Sequence, residues 1–136
     1  HSPHYYYHKF DPEDEKSHRR SIYRFVVRSQ PNPFMTTLDC ADSSQSTPKR
    51  NETLTALQAL SLLNNKFTLV MARHFAGRLA GEEAKITRQI ELGFELVAGR
   101  PPSVEEQNLL VEYASEHGMA NLCRSLFSLS EFAFID

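Results

Sequence analysis

Apolar positions recur at helical spacing through most of the second half of the chain and break up in the first. Ala56/Leu57, Leu60 and Leu63 predict a helix capped by Thr53 or Thr55, and Thr55 with Gln58 fits a capping box. Asn64-Asn65 supplies a residue able to enter the left-handed conformation that ends helices. Phe67, Val70/Met71, Phe75 and Leu79 predict a second helix to Ala80, with Gly81 just past its end. Ile86, Ile90, Phe94 and Val97 predict a third, from Glu82 or Glu83 to Ala98, whose two leading carboxylates suit the helix dipole. Gly93 inside it predicts close approach by another backbone.

The sharpest local signal is GRPPSVEE, residues 99–106. Gly99 suits a left-handed helix end, Pro101 and Pro102 forbid continuation, and Ser103 with Glu106 makes a capping box. The following helix uses Val104, Leu109/Leu110 and Tyr113/Ala114 and ends at Gly118. A last helix runs from Met119 to about Leu129, and the tail Phe132-Ala133-Phe134-Ile135 is expected to dock on the core.

Before residue 53 the pattern is broken. Five of the 7 prolines lie there, and residues 34–52 read as a long polar connection. Ser17 to Arg28 is the one periodic stretch: Ile22, Phe25 and Val26 share a face while Arg20, Arg24 and Arg28 recur every four residues, predicting an amphipathic helix stopped by Pro31 and Pro33, with a strand through IYRFVV as the alternative. Residues 1–16 read as a linker or docking segment and 17–136 as a single helical domain, the C-terminal module of a longer protein. The expected fold is all-α, a compact orthogonal bundle of five or six helices with an irregular, partly extended N-terminal third.

Composition narrows the classes. The 136 residues carry 15 Lys+Arg and 17 Asp+Glu, a net charge of −2 that argues against a nucleic-acid binder. The longest charge-free stretch, Thr53 to Asn65, is 13 residues, too short for a membrane span. Cys40 and Cys123 form no C-x-x-C or C-x-x-C-H, so no haem attaches here; two small buried thiols are the expected state, with a disulfide as the alternative.

Three groups of side chains are candidates for binding. His1, His4 and His8 have spacing that lets imidazoles converge on zinc or copper, against a plain linker. Arg19, Arg20, Arg24 and Arg28 suit sulfate, phosphate or carboxylate, against a solvated helix face. Asp39, Asp42, Arg50, Asn51, Gln58, Asn64 and Asn65 suit a recognition surface, against a role satisfying loop and helix-end backbone groups. His74 reads as a core-edge histidine. No G-x-S-x-G or H-E-x-x-H marks a catalytic centre.

Four strings, RRSIYRFVVRSQPNPFMTTLDCADSSQSTPKRN, LTALQALSLLNNKF, FELVAGRPPSVEEQ and SEFAFID, together resemble the C-terminal domain of unknown function of planctomycete cytochrome-c-associated secreted proteins. The likeness runs from about Arg19 to the last residue. It departs where that family often has Pro at the positions of Ala56 and Lys66, and Asn at Ser128 or Ser130. The resemblance implies an extracytoplasmic setting, haem only on an upstream module, and no catalytic residue to carry over. The function it favours is a non-catalytic interaction or scaffold module, whose partners are upstream domains of the same chain or another secreted protein. The alternatives are part of an extracellular polymer-degrading enzyme completed by an upstream domain, or an anionic-polysaccharide binder.

Overall fold

The computed structural model describes residues 6–24, 26–42, 44–46, 48–49, 53 and 55–133. It is all-α. Among the described residues, seven helices follow in order: α1 Pro33–Thr37, α2 Ala56–Asn64, α3 Lys66–Glu82, α4 Ile86–Ala98, α5 Val104–His117, α6 Met119–Leu126 and α7 Ser130–Ala133. Three short 3-10 turns precede them, at Tyr7–Lys9, Glu15–Ser17 and Ser21–Tyr23. The chain divides into two compact units, His1–Ser61 and Leu62–Asp136.

The C-terminal unit is a helical bundle in which α6 packs on α3, α4 and α5, and α4 also packs on α3, α5 and α7. The stripe predicted on α4 is where its core lies: Ile90, Phe94 and Val97 are buried with Ala114, Leu122 and Leu126. Leu79 and Cys123, both fully buried, form a second cluster with Ala72. Gly93 stands between the clusters. A Cβ there would lie 2.9 Å from Leu79 Cδ1 and 3.8 Å from Leu126 Cδ1. The close approach is therefore made by a side chain, not by the second backbone the sequence suggested.

The joint between α4 and α5 follows its sequence. Gly99 ends α4 at φ 71°, ψ 8°, the left-handed conformation. Ser103 and Glu106 complete the capping box: Ser103 N–H donates to Glu106 Oε2 at 2.7 Å, and Glu106 N–H donates to Ser103 Oγ at 3.2 Å. Arg100 adds what the motif did not announce, donating bidentately to the same carboxylate at 2.9 and 2.8 Å while its guanidinium lies 5.0 Å from the Phe94 ring centre. The Arg100 hydrogen bonds, with the Ser103 N–H, hold the Glu106 carboxyl down to about 2.

Other expectations are corrected. Ser17 to Arg28 is not a helix, because side chains claim backbone groups it would use. The Ser17 carbonyl accepts from Arg24 Nη2 at 3.2 Å, and the Val27 N–H donates to the Tyr7 hydroxyl at 3.2 Å. The same hydroxyl donates to the Gln30 carbonyl at 2.9 Å, closing a turn bridged from Val27 to Gln30. Pro33 does not stop a helix but starts α1, at the first helical position behind an Asn32 cap that accepts from Phe34 and Met35 N–H.

On α2 the predicted apolar stripe is not buried: Leu57 and Leu60 are exposed and Leu63 half-buried. Asn65 does not end α2 in a left-handed conformation; at φ −64°, ψ 136° it caps α3, accepting from Phe67 N–H at 2.9 Å. Gly81 stays helical, so α3 runs on to Glu82, which pairs with Arg78 at 2.7 Å instead of opening α4. The last predicted helix ends early, at Leu126, and a further short helix, α7, follows beyond the predicted end near Leu129. Cys123 is buried, and desolvation pushes its thiol up to about 11, whereas Cys40 is exposed.

Three outcomes follow from this geometry. Gly99→Ala should cost on the order of 1 kcal/mol in urea denaturation, since Ala must hold a positive φ. Gly77→Ala, in open space within α3, should instead stabilise by up to about 1 kcal/mol. The Glu106 carboxyl is depressed in the folded state, so its contribution is present above the unfolded value near 4.5 and is lost as pH falls towards about 2. Unfolding followed from neutral pH down to about 2 should show Glu106→Gln removing part of the acid destabilisation of the parent.

Candidate functional site

Of the residues singled out in the sequence, the structure brings Asp39 and Gln58 together. α1 ends in a Schellman arrangement: Cys40 N–H donates to the Met35 carbonyl and Asp39 N–H to the Thr36 carbonyl. This puts Asp39 at φ 56°, the left-handed position that usually belongs to glycine. Aspartate tolerates it better than most residues, though at a cost in backbone energy.

The side chain accounts for its presence there. Asp39 Oδ2 accepts from the Thr53 N–H at 2.7 Å and from Gln58 Nε2 at 3.0 Å, and the Thr53 hydroxyl lies 3.0 and 2.8 Å from the two carboxylate oxygens. Gln58 Nε2 also donates to Thr53 Oγ1 at 2.9 Å. Gln58 is held in turn by the α2 cap, where its Oε1 accepts from Thr55 N–H at 3.0 Å and its N–H donates to Thr55 Oγ1 at 3.2 Å. One half-buried carboxylate thus fastens both ends of the long polar loop and the start of α2. Its acceptor capacity is used by internal donors, which makes Asp39 a clasp rather than a poised base.

Asp42 stands apart in its own turn. It accepts from Ser44 N–H at 2.8 Å, Ser44 Oγ at 2.7 Å and Gln45 Nε2 at 3.0 Å, and these bonds, Gln45 first, lower its carboxyl below the usual range. Arg50 and Asn51 lie outside the described residues. Asn64 belongs to the C-terminal unit, where its Oδ1 accepts from Arg124 Nη2 at 2.8 Å.

The arginines do not form the predicted row, because the helix that would align them is absent. Arg19, Arg20 and Arg28 are exposed; Arg24 is half-buried, with its guanidinium 4.6 Å from the Phe10 ring centre. His1 and His4 lie outside the described residues, and His8 sits in the first 3-10 turn. Among the described residues, no group of three or more His, Cys, Asp or Glu comes together to hold a metal. His74 is exposed rather than at the core edge.

Sequence reasoning missed three positioning residues. Tyr7 pins the Val27–Gln30 turn, Arg100 completes the α4–α5 joint, and Arg124 donates from Nε to the Leu63 carbonyl at 2.7 Å. The last places a cation on the open end of α2, as the helix dipole favours. Only Arg100 had a local signal, being six residues before its carboxylate in a motif already recognised as a joint.

The family model PSD1, described as a protein of unknown function (DUF1553), matches residues 2–114, so the chain belongs to that family. Comparison with curated proteins and with solved structures gives no match.

The clasp separates backbone strain from side-chain anchoring. Asp39→Gly should relieve the positive φ, keeping stability within about 1 kcal/mol of the parent, yet loosen the loop. Asp39→Ala should lose on both counts and be the less stable of the two. Limited proteolysis between residues 40 and 50 should be faster in both variants; parent-like cleavage in Asp39→Gly would remove the clasp from the account.

Proposed function

We propose that this member of the PSD1 family is a non-catalytic interaction module whose contact face lies on its N-terminal unit. One observation carries the reading: that unit leaves a run of large apolar side chains exposed next to one another in sequence. Ile22 is 80% exposed, Tyr23 70% and Val26 57%, while Pro12 and Val27 are the buried residues among those described there. Apolar side chains so placed mark a surface that gains by being covered.

The resemblance to secreted cytochrome-associated proteins supplies the setting: an extracytoplasmic chain in which haem sits on a preceding module and this unit contacts a preceding domain. The enzyme alternative needs an acid or base free to act on a substrate. Of the candidate carboxylates, Asp39 is held by Thr53 and Gln58 and Asp42 by Ser44 and Gln45 instead, which favours the interaction reading. The polysaccharide alternative loses its aligned arginine face with the helix.

Amide exchange through residues 21–26 tests this. In the isolated chain the Tyr23 and Arg24 amides, held by single-turn bonds to Arg20 and Ser21 carbonyls, should exchange early. In a longer polypeptide that includes the preceding domain they should slow by an order of magnitude or more, with α4 unchanged. Equal rates in both, together with loss of no partner on Ile22→Ser/Tyr23→Ser substitution, would contradict the reading.

A further inference from the structure

α7 is only four residues long, too short to persist by its own backbone bonds. Two side chains hold it. Phe132 stacks on Phe127 with ring centres 5.2 Å apart, and Phe127 stacks on Phe75 at 5.5 Å. Glu131 Oε1 lies 3.6 Å from Arg100 Nη2, both side chains being nearly half exposed. Beneath α7, Phe75 and Phe127 are partly buried side chains that touch both core clusters.

The two carboxylates on Arg100 are unequal. Glu106 accepts from it bidentately and is locked into the α5 cap, while Glu131 makes one longer contact. When Glu131 leaves, Arg100 keeps its principal partner. Lifting α7 therefore strands no charge and breaks no part of the α4–α5 joint. It uncovers the Phe127 ring that Phe132 had covered.

We infer that α7 is a salt-releasable strap: Glu131 latches it to Arg100, and Phe132 covers the Phe127 ring of the Phe75–Phe127 pair until the latch lets go. The cover belongs to the chain itself, so the device controls access to an apolar surface without unfolding the bundle. An exposed ion pair is the right kind of catch, because added salt weakens it while leaving buried packing intact. This inference concerns the C-terminal unit and stands apart from the contact face proposed above.

The test follows the Phe132 and Ala133 amides, both of which donate to the Leu129 carbonyl. In the full chain, raising salt from low concentration to about 1 M, where the screening length falls to about 3 Å, should speed their exchange several-fold. The amides of Ile90–Val97 should not respond. Glu131→Gln should exchange at the high-salt rate from the start and be insensitive to salt. Phe132→Ala should bind an apolar fluorescent dye more strongly while still unfolding cooperatively. Exchange at Phe132 and Ala133 that matches the α4 rate, an equal salt response in Glu131→Gln, or unchanged dye binding in Phe132→Ala would overturn the strap.

Discussion

The contact on which the C-terminal bundle depends is Leu79 against Gly93. Leu79 is fully buried, and its Cδ1 occupies the space a Cβ on residue 93 would need. Leu126 closes on the same point. Three helices thus meet at the one α4 position without a side chain, and two apolar clusters share that seam. Burying a leucine there contributes roughly 1.5–3 kcal/mol, more than the ~1 kcal/mol that a helical glycine costs relative to alanine. Gly93 is a helix defect by propensity and the condition of closure by packing.

The N-terminal unit is built on a different principle. Among its described residues Pro12 and Val27 are buried, so hydrogen bonds between distant residues set its path. Tyr7 reaches 20 and 23 residues along the chain, and Asp39 reaches 14 and 19. Each such contact fixes a loop without filling a core. Ile22, Tyr23 and Val26 are left exposed as a consequence, and the proposed interaction role rests on them.

The difference between the two units also explains what was legible in the sequence. α4, the left-handed Gly99 and the Ser103–Glu106 box were readable because helix period and capping are local rules. The Thr55–Gln58 cap was readable for the same reason. The Ser17–Arg28 helix was misread because its competitors were the Tyr7 hydroxyl and the Arg24 side chain, which no local pattern announces. α1 has a local signal in Asn32-Pro33, because a proline at the first helical position behind an asparagine cap starts a helix as well as an internal proline ends one. Of the candidate binding residues, Asp39 stands at the start of the long polar loop and Gln58 on α2. That they bind each other depends on Thr53 and on a 19-residue separation that the sequence alone does not close. Arg124, which caps α2 from 61 residues away, left no trace in the pattern.

The chain belongs to a family of unknown function, is all-α, and leaves Ile22, Tyr23 and Val26 exposed on its N-terminal unit. The central claim is that residues from Leu62 onward hold their own core. The direct measurement is chemical denaturation of a fragment comprising residues 55–136, which keeps the α2 cap. A single cooperative transition with dispersed methyl resonances for Leu79, Leu122 and Leu126 is the predicted result. A fragment that collapses without a cooperative transition would show that the bundle borrows its core from the N-terminal unit, and the division of labour described here would be wrong.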